Sequence, residues 1–120
     1  MNCIFCKIIN GDIPSYTIYE DDIIKAFLDI DPKSNGHTLI IPKKHYQDIM
    51  DIDEETLSYI FKKAKEIKKL LEEKLNIQGI TFVQNNGLSQ EVKHYHLHLI
   101  PNYQNNDLMS VEEVFKKIKG

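Results

Sequence analysis

No run of apolar residues approaches the ~18 needed to cross a bilayer, so no membrane-spanning helix is expected. There is no excess of basic charge either. The formal net charge is −3 over 120 residues, which argues against a general nucleic-acid binder. No glycine-rich P-loop and no dinucleotide fingerprint occurs, so neither an ATPase nor a Rossmann oxidoreductase is supported. Cysteine is sparse, with two residues spaced Cys3-Ile4-Phe5-Cys6. That spacing excludes a disulfide scaffold and points to metal or redox chemistry in a reducing compartment. The opening MNCIFCKIIN lacks a basic leader and a cleavage site, and the expected location is the cytoplasm. Hydrophobic content of 42% and charged content of 28% describe an ordinary globular chain, long enough for one compact domain over residues 1–120.

What the sequence does have is His94-Tyr95-His96-Leu97-His98-Leu99-Ile100-Pro101. Strand side chains alternate between faces, so His94, His96 and His98 share one face while Tyr95, Leu97 and Leu99 share the other. On a flat strand, neighbouring imidazoles start about 6.6 Å apart and the outer pair about 13 Å. The three histidines should therefore divide their roles. Imidazole is poor core filling, because each buried ring needs hydrogen-bond partners. A site is the stronger reading, with a His-x-His zinc pair as the competitor.

Around this stretch the chain alternates short strands and turns. Strands are expected at residues 16–20, 23–28, 37–41 and 80–84, with the histidine stretch as the fifth. Between them, Leu57, Ile60, Phe61, Ala64, Ile67, Leu71 and Leu75 repeat at helical spacing. Asp53 is placed to cap this helix, and Asn76 and Gly79 to end it. Lys62, Lys63, Lys65, Lys68 and Lys69 alternate with Glu66, Glu72 and Glu73, the pattern of a solvated face and not of a nucleic-acid patch. Ser110 and Glu113 form a capping box for a closing helix with a stripe of Val111, Val114, Phe115 and Ile118. That stripe fits either its own sheet or a partner chain. The expected class is α+β.

The histidine stretch, with CIFCKIINGDIP, YEDD, AFLDI, GHTLIIPKKH and QNNG in order before it, resembles the histidine triad (HIT) nucleotide hydrolases and transferases. The likeness covers nearly the whole chain and is strongest to the small hydrolases of nucleoside phosphoramidates. The resemblance implies a HIT-like fold: a five-stranded antiparallel sheet, one long helix and a C-terminal helix, extended across a homodimer. It also implies nucleotidyl transfer through a covalent histidine intermediate. The matching nucleophile is His96, with His94 and His98 as the other triad members. His98 and His37 correspond to groups that contact the phosphate, and Asn85 and Gln90 to phosphate contacts of the polar loop.

Asp29 corresponds to the acceptor for the ribose hydroxyls, although a turn-starting Asp before Asp31-Pro32 explains it as well. Ile4, Phe5, Ile8, Phe27 and Ile30 correspond to the sandwich around a purine base, as in AMP; as residues they are equally well explained as core. Members with the CIFCK opening bind zinc through positions matching Cys3, Cys6, His45 and His94. The phosphate loop departs from the family pattern: it is shorter, Ser89 stands for a glycine, and Glu91 occupies the position of a serine that assists the leaving amine. Asn102 stands where bacterial members commonly have arginine. Three alternatives stay open at this level: a dinucleoside polyphosphate hydrolase, a nucleotide-binding module with little turnover, and a zinc hydrolase using His94 and His96 as ligands.

Overall fold

The computed structural model describes residues 3–120. Five strands, β1 (Thr17–Glu20), β2 (Ile24–Leu28), β3 (Thr38–Pro42), β4 (Gly79–Val83) and β5 (Leu97–Asn102), form a single antiparallel sheet in the order β1-β2-β3-β5-β4. Three helices accompany it: α1 (Ile4–Ile9), α2 (Glu54–Leu75) and α3 (Val111–Lys119). The α+β class and the five strands agree with the sequence reading.

Strand alternation divides the interior in two. Ile24, Ala26, Leu28, Ile40, Leu97 and Leu99 face Ile60, Ala64, Ile67 and Leu71 of α2 and Val114 and Ile118 of α3. Phe27, Leu39 and Ile41 face the other way, onto Cys3, Phe5 and Ile8 at α1. The α3 stripe thus packs on its own chain, with Phe115 against Tyr16 at 5.2 Å between ring centroids. Local signals set the helix ends. The Asp53 carboxylate accepts from Thr56 N at 3.1 Å, and Asn76 closes α2 in the left-handed region at φ 53. Ser110 Oγ accepts from Glu113 N at 3.1 Å.

Two expectations need correction. The histidine stretch is not a continuous strand, because β5 begins at Leu97. His94 to His96 precede the ladder, and Tyr95 N donates to Tyr46 O at 2.7 Å, outside the sheet. The second concerns Phe61, which sits on the edge of the α2 stripe and stays 41% exposed. It lies beside Phe82 of the edge strand β4, with ring centroids 6.2 Å apart. No helix among the described residues is long and apolar enough to cross a membrane.

Candidate active site

The short helix α1 is pinned by its first residue. Cys3 caps it, its Sγ accepting from Cys6 N at 3.4 Å, so both thiols project from the first turn toward the start of the histidine stretch. Cys3 Sγ lies 3.4 Å from His94 Nδ1. Cys6 Sγ lies 3.4 Å from His45 Nδ1 and 3.6 Å from His94 Nδ1, and the two Nδ1 atoms are 3.1 Å apart. A tetrahedral zinc with Zn–S about 2.3 Å and Zn–N about 2.0–2.1 Å sets donor separations of roughly 3.3–3.8 Å. The four residues therefore fit such an ion with little adjustment.

Hydrogen-bond polarity supports the same fit. His94 Nε2 lies 2.8 Å from the Pro42 carbonyl, which can only accept, so the proton is on Nε2 and the Nδ1 lone pair faces the thiols. Burial holds His94 at about 4, hence neutral, as a ligand must be. Burial, then the Cys3 thiol, push Cys6 up to about 11. A pair of adjacent thiolates is stable here only beside a cation.

On the cavity side, His96 Nδ1 lies 2.8 Å from the main-chain oxygen of His94. The carbonyl fixes the tautomer, with the proton on Nδ1 and the lone pair on Nε2. Burial lowers the His96 pKa below its ordinary value, keeping the ring neutral. Phe5 packs edge-on against both His94 and His96, at 5.9 and 5.0 Å. His94 and His96 therefore aim different nitrogens at different neighbours, and the zinc hydrolase with this pair as ligands is not what the geometry builds.

His98 takes its orientation from a residue 61 positions earlier. Lys33 N donates to His37 Nδ1 at 3.1 Å, which places the His37 proton on Nε2. His37 Nε2 lies 2.9 Å from His98 Nδ1, so His98 accepts there and carries its own proton on Nε2. Burial, with His96 and His37 adding to it, holds His98 at about 4. His37 is 2% exposed and both its nitrogens are engaged.

Asp29, His37 and His98 also bring three potential ligand atoms together. Here the polarity is wrong for a metal. A neutral His37 ligating through Nε2 would carry its proton on Nδ1, where the Lys33 amide already donates. Asp29 Oδ1 accepts from Asp31 N at 2.9 Å, the turn role considered for it, while Oδ2 lies 3.6 Å from His37 Nε2.

These groups open onto a cavity of about 510 Å³, within the range for small-molecule sites. Of the expected residues, Ile4, Phe5, Ile8, Phe27, Asp29, Ile30, His37, Asn85, His96 and His98 line it. Gln90 does not. It is 3% exposed, its amide donating to Gln47 O at 2.6 Å and accepting from Gly87 N at 3.3 Å. The carboxamide holds the loop in shape because a buried amide must satisfy its own donors and acceptors. Sequence reading missed Lys33, Leu39, Val83, Val92 and Ile100 on the wall. For Leu39 and Ile100 a signal existed, since both share strand faces with Phe27 and His98.

The HIT domain family matches residues 10–105. An uncharacterized HIT-like protein of Methanocaldococcus jannaschii is 43% identical, the match covering 98% of this chain and 99% of that one. The adenosine 5'-monophosphoramidase HNT1 of Saccharomyces cerevisiae is 46% identical over 82% of this chain and 61% of its own length. The crystal structure of a Zn-bound histidine triad family protein from Mycobacterium smegmatis superposes with a TM-score of 0.90 at 35% identity, over 99% of this chain and 91% of that one.

Proposed function

The chain belongs to the HIT family of nucleotide hydrolases, and on that premise we propose that it cleaves nucleoside 5'-phosphoramidates, such as those of AMP, through a nucleotidyl-His96 intermediate. The observation that carries this reading is the His96 tautomer. Its Nδ1 is held on the His94 carbonyl, and its Nε2 lone pair is left for the cavity. Neutral imidazole so oriented is a competent nucleophile near pH 7.

In this reading the nucleoside end lies at Asp29, whose Oδ2 accepts from the ribose hydroxyls. The base rests among Ile4, Phe5, Ile8, Phe27 and Ile30. His98 Nε2–H and the Asn85 amide donate to the phosphate oxygens, and His37 keeps His98 in the donating tautomer. His96 Nε2 attacks the α-phosphorus while the P–N bond to the amine breaks, and the amine takes a proton from solvent at the exposed Ser89–Glu91 rim. The His96 ring becomes cationic, with its Nδ1–H still on the His94 carbonyl. Water then attacks the same phosphorus. The P–Nε2 bond breaks, releasing AMP and a proton and returning His96 neutral.

Cys3, Cys6, His45 and His94 would hold a structural zinc. Bound there, it ties α1 to the strand end that presents His96 and supplies no group to the reaction. The same reading places a second copy of the chain against β4, an edge strand whose Phe82 is 38% exposed next to Phe61. A strand edge with no neighbour and apolar side chains is a template for pairing.

The test is turnover of adenosine 5'-phosphoramidate under rapid quench, with mass spectrometry of the protein. A transient adduct of one AMP moiety, mapped to His96 and absent in His96→Ala, is the expected result. Binding of AMP without turnover or adduct would favour a nucleotide-binding module instead.

A further inference from the structure

Resting on the proposed phosphoramidate reading, one group on the cavity wall has no part in the chemistry above. Glu91 lines the cavity together with His96, Asn85 and Ser89. Its side chain is solvent-exposed at the cavity rim. Among the described residues no lysine or histidine pairs with it. The lysine two positions on is turned away: Lys93 Nζ is held by the Gln90 carbonyl at 3.0 Å and by that of Gly87. Among the described residues Lys33 is the one lysine on the wall, and its backbone N donates to His37, a neighbour of Asp29.

An unpaired carboxylate beside a phosphate site repels the charge the site is built to hold. The arrangement is favourable only when the substrate itself brings a cation to that rim. On the proposed reading the leaving group sits at this rim and the nucleoside at Asp29. We infer that Glu91 selects the leaving group: it favours amines that carry a second, positively charged nitrogen and disfavours leaving groups linked through further phosphates. The substrate class is then AMP joined through P–N to a cationic amine, such as a diamine or a basic amino acid side chain. The dinucleoside polyphosphates are the class it excludes.

The experiment compares kcat/KM for three AMP conjugates: a P–N link to propylamine, a P–N link to 1,3-diaminopropane, and a pyrophosphate link in diadenosine polyphosphate. Wild type, Glu91→Gln and Glu91→Lys are each measured with all three. The expected result is a cationic-to-neutral ratio that falls about fivefold in Glu91→Gln, the scale of an exposed charge pair. In Glu91→Lys the ratio inverts and relative turnover of the polyphosphate rises. A ratio equal in wild type and Glu91→Gln overturns the inference.

Calorimetry with two non-hydrolysable adenosine sulfamates, one bearing an ammonium arm and one its neutral analogue, separates this failure from that of the hydrolase reading. Absent turnover with a Kd ratio that depends on residue 91 would sink the hydrolase reading alone. A Kd ratio indifferent to residue 91 would sink the inference.

Discussion

The Nδ1 atom of His96 lies 2.8 Å from the main-chain oxygen of His94, while the ring of His94 turns its own Nδ1 to two cysteine thiols. One residue thus serves two sites, its side chain the Cys/His cluster and its backbone the proposed nucleophile. The first prediction follows from the second of these duties. His96→Ala should lose turnover of adenosine 5'-phosphoramidate by roughly 10³-fold or more, with AMP affinity by calorimetry staying within a few-fold. Retained turnover would move the nucleophile elsewhere.

The metal cluster predicts a stability effect without direct chemistry. Purified protein should contain zinc by elemental analysis, and chelation or Cys6→Ser should lower Tm, because metal binding here is coupled to folding. Activity should fall only in parallel with folded protein. Loss of turnover at unchanged Tm would assign the ion to catalysis.

His98 predicts the pH dependence of stability. Its folded pKa is held at about 4 against an ordinary value of 6.5. The unfolded chain therefore binds the proton first, and stability falls as pH drops from about 6.5 toward 4. Urea midpoints over that interval should decline less steeply in His98→Gln than in wild type. Parallel slopes would mean that His98 is not buried as a neutral ring.

Gly36, immediately before His37, has φ +91, and a Cβ there would come within 2.7 Å of Leu75 Cδ1 and 3.3 Å of Pro101 Cγ. Gly36→Ala should cost about 1–3 kcal/mol, chiefly from the left-handed backbone, read as a lower urea midpoint at unchanged m. An unshifted midpoint would show that the loop relaxes freely.

The exposed Phe61–Phe82 pair predicts the assembly. Light scattering should give a dimer mass for wild type and a monomer mass for the double variant Phe61→Glu, Phe82→Glu, with circular dichroism unchanged. A wild-type monomer would remove the proposed partner at β4.

Much of this protein could be read without coordinates, for a physical reason particular to each feature. The two-residue period of Leu97 to Ile100 in β5 puts His98 and Ile100 on one face and Leu97 and Leu99 on the other. The Asp53 cap, the Asn76 terminus and the Ser110–Glu113 box depend on residues within one helical turn, and all three formed as local sequence directs. The sequence also placed Cys3, Cys6, His45 and His94 in one set, by resemblance to zinc-binding members.

Direction of hydrogen bonding was the part that required the tertiary structure. Whether an imidazole nitrogen donates or accepts depends on the atom opposite it, and those atoms are remote in the chain: Lys33 N and His98 for His37, Pro42 O for His94. That polarity makes the Cys/His cluster fit for a metal and the Asp29–His37–His98 cluster unfit. It also sets His37 against His98, one ring nitrogen on the Lys33 amide and the other on His98 Nδ1. Gln90 turned from the cavity because folding buried its amide beside Gln47 and Gly87. Among the described residues Glu91 has no ammonium partner, and Lys93 Nζ binds the carbonyls of Gly87 and Gln90. Periodicity and caps are set by near neighbours and are written in the sequence; donor, acceptor and counter-charge are set by partners that only folding brings together.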